Sequence, residues 1–130
     1  MRPGRRTAVY IVDDDAAVRN SLALLLRSCG YRTEEFETAP AFLAFCPNDG
    51  LKGCLLTDLK MPGMNGAEML EALTVRGLVV PVLAMSAHHD PALERRALRA
   101  GATRVLRKPL SDRELIDSIE FVLGRCSPSP

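Results

Sequence analysis

Residues 10–19 read YIVDDDAAVR: an apolar run breaks without transition into Asp13, Asp14 and Asp15, and a helical pattern follows at once. An apolar strand that ends in acid and passes directly into a helix is the first half of a β–α unit. Three adjacent carboxylates repel one another, so their place at the end of a buried strand needs a cause. Taken alone, the segment fits a helix cap, a metal site or the nucleophile of a phosphatase.

The same unit recurs along the chain. Strand candidates are AVYIV (8–12), RTEEFE (32–37), GCLLTD (53–58), VVPVLAMS (79–86) and RVLRK (104–108). The third and fourth are almost continuously apolar, as strands covered on both faces should be. Helical segments with their own punctuation follow. Asp15 can cap a helix that carries Val18, Leu22, Leu25 and Leu26 on one face and stops at Gly30. Asn65 and Glu68 have capping-box spacing, and their helix stops at Gly77. Asp90 followed by Pro91 starts a helix that ends at Gly101, and Ser111 with Glu114 forms a second capping box ahead of Leu115, Ile119 and Val122. Five β units alternating with five α units predict an α/β fold, a five-stranded parallel sheet with right-handed crossovers and helices on both faces.

Bulk properties narrow the function. A chain of 130 residues is one domain by size, and 47% hydrophobic with 25% charged residues is ordinary for a globular protein. A net charge of +1 gives no whole-chain case for binding nucleic acid or a membrane surface. No run approaches the roughly 18 apolar residues of a membrane span, and the arginines of MRPGRR precede no signal-peptide core, so a cytoplasmic location is expected. Residues 1–7 read as a loose N-terminus, 8–124 as the folded domain, and 125–130, ending in SPSP, as a linker-like tail. Cys29, Cys46, Cys54 and Cys126 form no CxxC pair and no metal-ligand spacing with His88 and His89; they read as reduced thiols, the first three packed in or beside apolar segments.

In such sheets ligands bind beyond the carboxyl ends of the strands, so the polar residues there carry the information. The first strand ends at Asp13 and Asp14, the third at Asp58, the fourth at Ser86 and the fifth at Lys108. Three carboxylates, a hydroxyl and an ammonium therefore converge on one site. Clustered carboxylates call for a cation, and an all-oxygen set at loop ends suits Mg²⁺. The chain has neither G-x-x-x-x-G-K-[ST] nor G-x-G-x-x-G, so it lacks the loops that cradle a nucleotide. A metal, a positioned ammonium and a carboxylate able to take a phosphoryl group point to phosphoryl transfer.

VDDD after the first strand, TDLKMPGMNG (57–66) after the third, MSA (85–87) after the fourth and RKP (107–109) after the fifth resemble, together and in this order, the receiver domains of two-component response regulators. The resemblance spans about 8–124. The segments AVRNSLALLLRSCGY and FETAPAFLAF are most similar to the nitrogen-fixation-type regulators, whose receivers normally precede a helix-turn-helix output domain. It implies a flavodoxin-like doubly wound (βα)5 fold with strand order 2-1-3-4-5. It makes Asp58 the phosphoacceptor, with Mg²⁺ (Mn²⁺ as the alternative) held by the carboxylates of Asp14 and Asp58, the backbone carbonyl of Lys60 and, through a water, Asp13. Lys108 would pair with a phosphoryl oxygen ahead of a cis bond to Pro109, and Ser86 would donate to the phosphoryl group and start the switch. Lys60 and His88 occupy the positions that tune dephosphorylation. The implied partner is a sensor histidine kinase, and the implied protein is a phosphoacceptor that assists its own phosphotransfer and slow dephosphorylation, not a turnover enzyme.

One position departs from the family. Three residues before the lysine, receivers commonly carry Tyr or Phe, whose ring swings inward on activation; here it is Val105. Two rival functions stay open. In a haloacid-dehalogenase-type phosphatase Asp13 would be the nucleophile, but the late carboxylate pair and the room for a cap are missing. In a degenerate receiver the domain would only bind proteins. Arg95, Arg96 and Arg99 on the fourth helix read either as a solvated face or as an interaction face for an acidic partner or a second copy, the latter with the fifth strand and helix as in the family. Direct DNA contact by this domain is not expected.

Overall fold

The computed structural model describes residues 7–47 and 50–124. Five strands, β1 (Ala8–Val12), β2 (Arg32–Phe36), β3 (Gly53–Asp58), β4 (Val82–Ser86) and β5 (Arg104–Arg107), alternate with five helices. The helices are α1 (Ala16–Ser28), α2 (Ala39–Phe45), α3 (Gly66–Val75), α4 (Pro91–Arg99) and α5 (Asp112–Val122). All strand pairings are parallel, in the order β2-β1-β3-β4-β5. This is the doubly wound order expected.

Alternation along the central strands sorts side chains into two cores. Tyr10, Val12 and Leu55 face one way, against Phe42, Leu70, Leu73 and Ala97 of α2, α3 and α4. Val9, Ile11, Leu56 and Leu83 face the other way, against Leu22 and Leu26 of α1 and Leu115 and Ile119 of α5. Strands β1 and β4 are buried throughout, whereas the edge strands β2 and β5 keep exposed positions.

Helix starts follow the sequence signals. Asp15 accepts from the Ala17 and Val18 N–H groups, and Asn65 and Glu68 form the full reciprocal box. Asp90 caps α4 ahead of Pro91. Ser111 accepts from the Glu114 N–H, one of the two bonds of the expected box. The sequence left α2 without a start signal; Thr38 supplies it, accepting from the Ala41 N–H.

Two expectations need correction. The fourth strand begins at Val82, not Val79. Pro81 has no N–H to give the ladder, and only its carbonyl is used, accepting from the Leu55 N–H. Val79 is consequently 90% exposed. Cys29, expected to be packed, is exposed at the end of α1. Cys46 and Cys54 are buried as expected, and burial pushes the Cys54 thiol up to about 12. Cys126, the tail and the N-terminal residues before Thr7 lie outside the described residues.

Candidate functional site

The carboxyl ends of β1, β3, β4 and β5 meet at one edge of the sheet. Asp13 is fully buried directly after β1. Its Oδ1 accepts from the Asp15 N–H at 2.9 Å, and its Oδ2 accepts from Lys108 Nζ at 2.9 Å. The Lys108 ammonium also lies 3.5 Å from Asp58 Oδ2. One cation from the end of β5 thus joins the carboxylates that end β1 and β3. Asp14 is exposed beside them, and carboxylate oxygens of Asp13, Asp14 and Asp58 lie within 4.8 Å of one another. A hard, all-oxygen donor cluster of this kind fits Mg²⁺.

The electrostatics follow from burial and neighbours. Burial, with the like charges of Asp13 and Asp14, raises the Asp58 pKa from 3.8 to about 6 against the opposing pull of Lys108. For Lys108, burial works against the ammonium, but its bond to Asp13 and the charge of Asp58 outweigh that and raise its pKa. The lysine is a permanent cation at physiological pH. The Asp58 carboxylate is ionised above roughly pH 6.

Ser86 is buried, and its hydroxyl donates to the His88 carbonyl at 2.6 Å rather than to a carboxylate. Val105 is half-buried and packs against the α2–α4 core. The Lys108–Pro109 bond is cis. Lys60 projects its ammonium toward Asp90, the cap of α4, at 3.4 Å. His88 is exposed. On α4, Arg95 and Arg99 are exposed, whereas Arg96 makes a paired contact to Glu71 of α3 at 2.7 Å per bond.

Further contacts, likewise not read from the sequence, surround the site. Arg107 of β5 donates to His89 Nδ1 at 2.9 Å and to Glu94 of α4 at 3.3 Å. Arg19 of α1 donates to the Asp13 carbonyl at 2.7 Å. The Arg19 contact had a signal: helical side chains lean toward the helix N-terminus, so a long cation one turn past Asp15 faces the acidic loop.

Known proteins are similar to this chain in sequence and in fold. The response regulator receiver domain family matches residues 9–120. The transcriptional regulatory protein FixJ of Azorhizobium caulinodans is 42% identical over 118 residues, covering 90% of this chain and 55% of that protein. FixJ of Bradyrhizobium diazoefficiens is 38% identical, covering 93% and 58%. The crystal structure of FixJ-N superposes with a TM-score of 0.85 at 38% identity, covering 92% of this chain and 95% of that one. Full-length FixJ from B. japonicum gives 0.82 at 36%, covering 94% and 60%. The chain spans somewhat over half the length of these FixJ relatives. Among the described residues no helix is long and apolar enough to cross a membrane. With its acidic cluster, its lysine and its strand order in place, this chain belongs to the response regulator receiver domain family.

Proposed function

We propose that this chain is a phosphorylation-controlled switch that takes a phosphoryl group on Asp58 from a sensor histidine kinase. The observation that carries the reading is the Lys108 ammonium set between the Asp13 and Asp58 carboxylates, 2.9 and 3.5 Å away. An ionised Asp58 oxygen attacks phosphorus; a P–O bond forms as the donor's P–N bond breaks, and the imidazole leaves with the electron pair. Lys108 keeps its bond to Asp13 and trades its Asp58 contact for a phosphoryl oxygen. Asp14 and Asp58 would hold Mg²⁺ through carboxylates, Lys60 through its backbone carbonyl and Asp13 through a water, and Mn²⁺ suits the same oxygens. The cation, when bound, neutralises the acidic cluster and the phosphoryl oxygens.

Ser86 donates to the phosphoryl group only after leaving the His88 carbonyl, and that exchange releases the loop into α4. Val105 has no ring to swing, so switching runs through this exchange. Lys60 and His88 tune dephosphorylation. An apolar groove of about 570 Å³ between α1 and α5, bordered by Val18, Leu22, Lys108 and Pro109, opens beside the site and offers the kinase a surface. The switched face of α4, β5 and α5 would serve a homodimer. The FixJ relatives are transcriptional regulators, and we assign this domain, residues 8–124 followed by a linker-like tail, to cytoplasmic control of transcription through an output domain. Against the dehalogenase-type reading, Asp13 is fully buried and each of its carboxylate oxygens already accepts a hydrogen bond, whereas Asp58 keeps 7% exposure and is the more accessible carboxylate.

Intact-mass measurement after incubation with Mg²⁺ and acetyl phosphate tests the reading. One acid-stable, alkali-labile phosphoryl adduct is expected, absent in Asp58→Asn and in excess EDTA. An adduct that survives in Asp58→Asn overturns the assignment. Rapid phosphatase turnover that depends on Asp13 and persists in Asp58→Asn overturns the switch.

A further inference from the structure

We infer that Arg19 is a positioning residue for the acidic pocket, fixing the peptide plane that aims Asp14 at the cation; the inference rests on the Mg²⁺ site proposed above. The Asp14 carboxylate takes no hydrogen bond among the described residues, so the backbone that carries it sets the Cα–Cβ vector and with it the space the carboxylate can reach. That backbone is held at two points. The Asp13 N–H donates to the Phe36 carbonyl at the end of β2 at 3.1 Å. Arg19 Nη1 donates to the Asp13 carbonyl at 2.7 Å. The Asp13 carbonyl belongs to the rigid peptide unit that continues into the Asp14 nitrogen, so fixing it fixes the start of Asp14.

The guanidinium itself is held. Its side chain is 16% exposed, and its Nε lies 3.7 Å from Glu35 Oε1 on β2. Arg19 therefore ties the first turn of α1, the metal-binding loop and the neighbouring strand together. Glu35 also offsets the charge of Arg19, so the guanidinium can serve geometry with less repulsion of an incoming cation.

Charge and geometry predict opposite signs, which makes the inference testable. A positive group beside a cation site repels the cation, so by charge alone removing Arg19 tightens Mg²⁺ binding. If Arg19 positions Asp14, removing it weakens binding. Mg²⁺ affinity is measured by titration calorimetry on the whole chain, beside the thermal midpoint in EDTA and in saturating Mg²⁺. Arg19→Ala is expected to raise the Mg²⁺ Kd roughly tenfold, at the low end of what is lost when a partner of a metal ligand is removed. Arg19→Lys, which still reaches the carbonyl with a single cation, recovers part of that loss. Glu35→Gln leaves the guanidinium charge uncompensated and weakens Mg²⁺ binding a few-fold, by an amount that shrinks as salt rises. Arg27→Ala, an exposed cation in the last turn of the same helix, leaves the Kd unchanged.

A wild-type or tighter Kd in Arg19→Ala overturns the inference, as does a thermal midpoint that falls equally with and without Mg²⁺ at unchanged Kd, because the arginine is then only structural. If Arg19→Ala does not fold, Arg19→Lys decides: weaker Mg²⁺ binding with a wild-type midpoint in EDTA supports positioning, and a wild-type Kd removes it. If the wild-type protein binds no Mg²⁺, the proposed function fails before Arg19 is tested.

Discussion

Burial of the Asp58 carboxylate costs the metal-free fold stability. The carboxyl is raised from 3.8 to about 6 in the fold, chiefly by burial, so between those values the native state holds a proton that the unfolded chain has released. Stability of the metal-free protein therefore falls as pH rises through this window, and the full penalty is present above about pH 6. A rise of that size corresponds to about 3 kcal/mol, which a pocket open to water reduces to about 1–2 kcal/mol. Asp58→Asn, which carries no charge, is expected to be more stable than wild type by that amount at pH 7.5 in EDTA. The gain should shrink toward zero near pH 4, as urea denaturation at both pH values will measure; an equal gain at both would remove burial of the charge as the cause. Lys108 has the opposite role. Asp13 is fully buried, and without the ammonium at 2.9 Å its charge loses its main compensation. Lys108→Ala should cost about 2–4 kcal/mol, near the range for breaking a buried pair and lowered because the lysine is partly solvated. It should still bind Mg²⁺ while phosphorylating poorly with acetyl phosphate, and unchanged phosphorylation would remove its assigned role.

The start of α3 sits against the same site. Gly66 is the first residue of the helix, and its N–H donates to the Leu59 carbonyl at 2.9 Å. A Cβ there would lie 2.5 Å from the Asp58 carbonyl oxygen and 3.0 Å from the Leu59 side chain. Glycine at this position is a packing requirement of the loop that carries Asp58, not only a turn preference. Gly66→Ala should cost about 1–3 kcal/mol as overpacking. It should also slow phosphorylation several-fold by displacing Asp58, and a phosphorylation rate unchanged at reduced stability would show that the loop absorbs the methyl elsewhere. This close approach marks the limit of what the sequence could show. The capping residues Asp15, Asn65, Asp90 and Ser111 were readable because a cap is a local signal, decided within one turn. That Asp13, Asp14, Asp58, Ser86 and Lys108 lie together at the strand ends was readable because each is the polar end of an apolar run. Contacts between elements were not: Gly66 against Asp58, Lys60 on Asp90 and Arg107 on Glu94 depend on how helices settle on the sheet. The premature start read for β4 had a local cause, Pro81, whose missing N–H outweighs the apolar run around it.

The homodimer proposed above would use the face of α4, β5 and α5. Helices α4 and α5 flank the edge strand β5, where the sheet's hydrogen bonding ends. On this side Leu98 is 46% and Phe121 is 49% exposed, and the Arg104 guanidinium stacks 4.3 Å from the Phe121 ring centroid. Such stacking keeps the ring presented at the surface instead of folded inward. Helix α4 carries the exposed cations Arg95 and Arg99, whereas α5 carries the exposed Asp117 and the half-buried Glu120. In a twofold dimer one patch meets its own copy, so a basic α4 facing the acidic α5 of the partner is complementary in both directions. The Ser86–His88 bond sits at the entrance to α4, and in the switch proposed above its exchange for the phosphoryl group would link phosphorylation to this face. The expected outcome is a monomer without phosphoryl donor and a doubled mass in light scattering with Mg²⁺ and beryllofluoride, a phosphoryl mimic. Phe121→Glu and Leu98→Glu should keep Mg²⁺ binding and phosphorylation but stay monomeric. Asp117→Arg should weaken the dimer, with a loss that diminishes as salt rises, because exposed charge pairs are screened. If mass never changes with the mimic, the proposed homodimer fails; if the Phe121→Glu protein still dimerises, the copies meet elsewhere on the molecule.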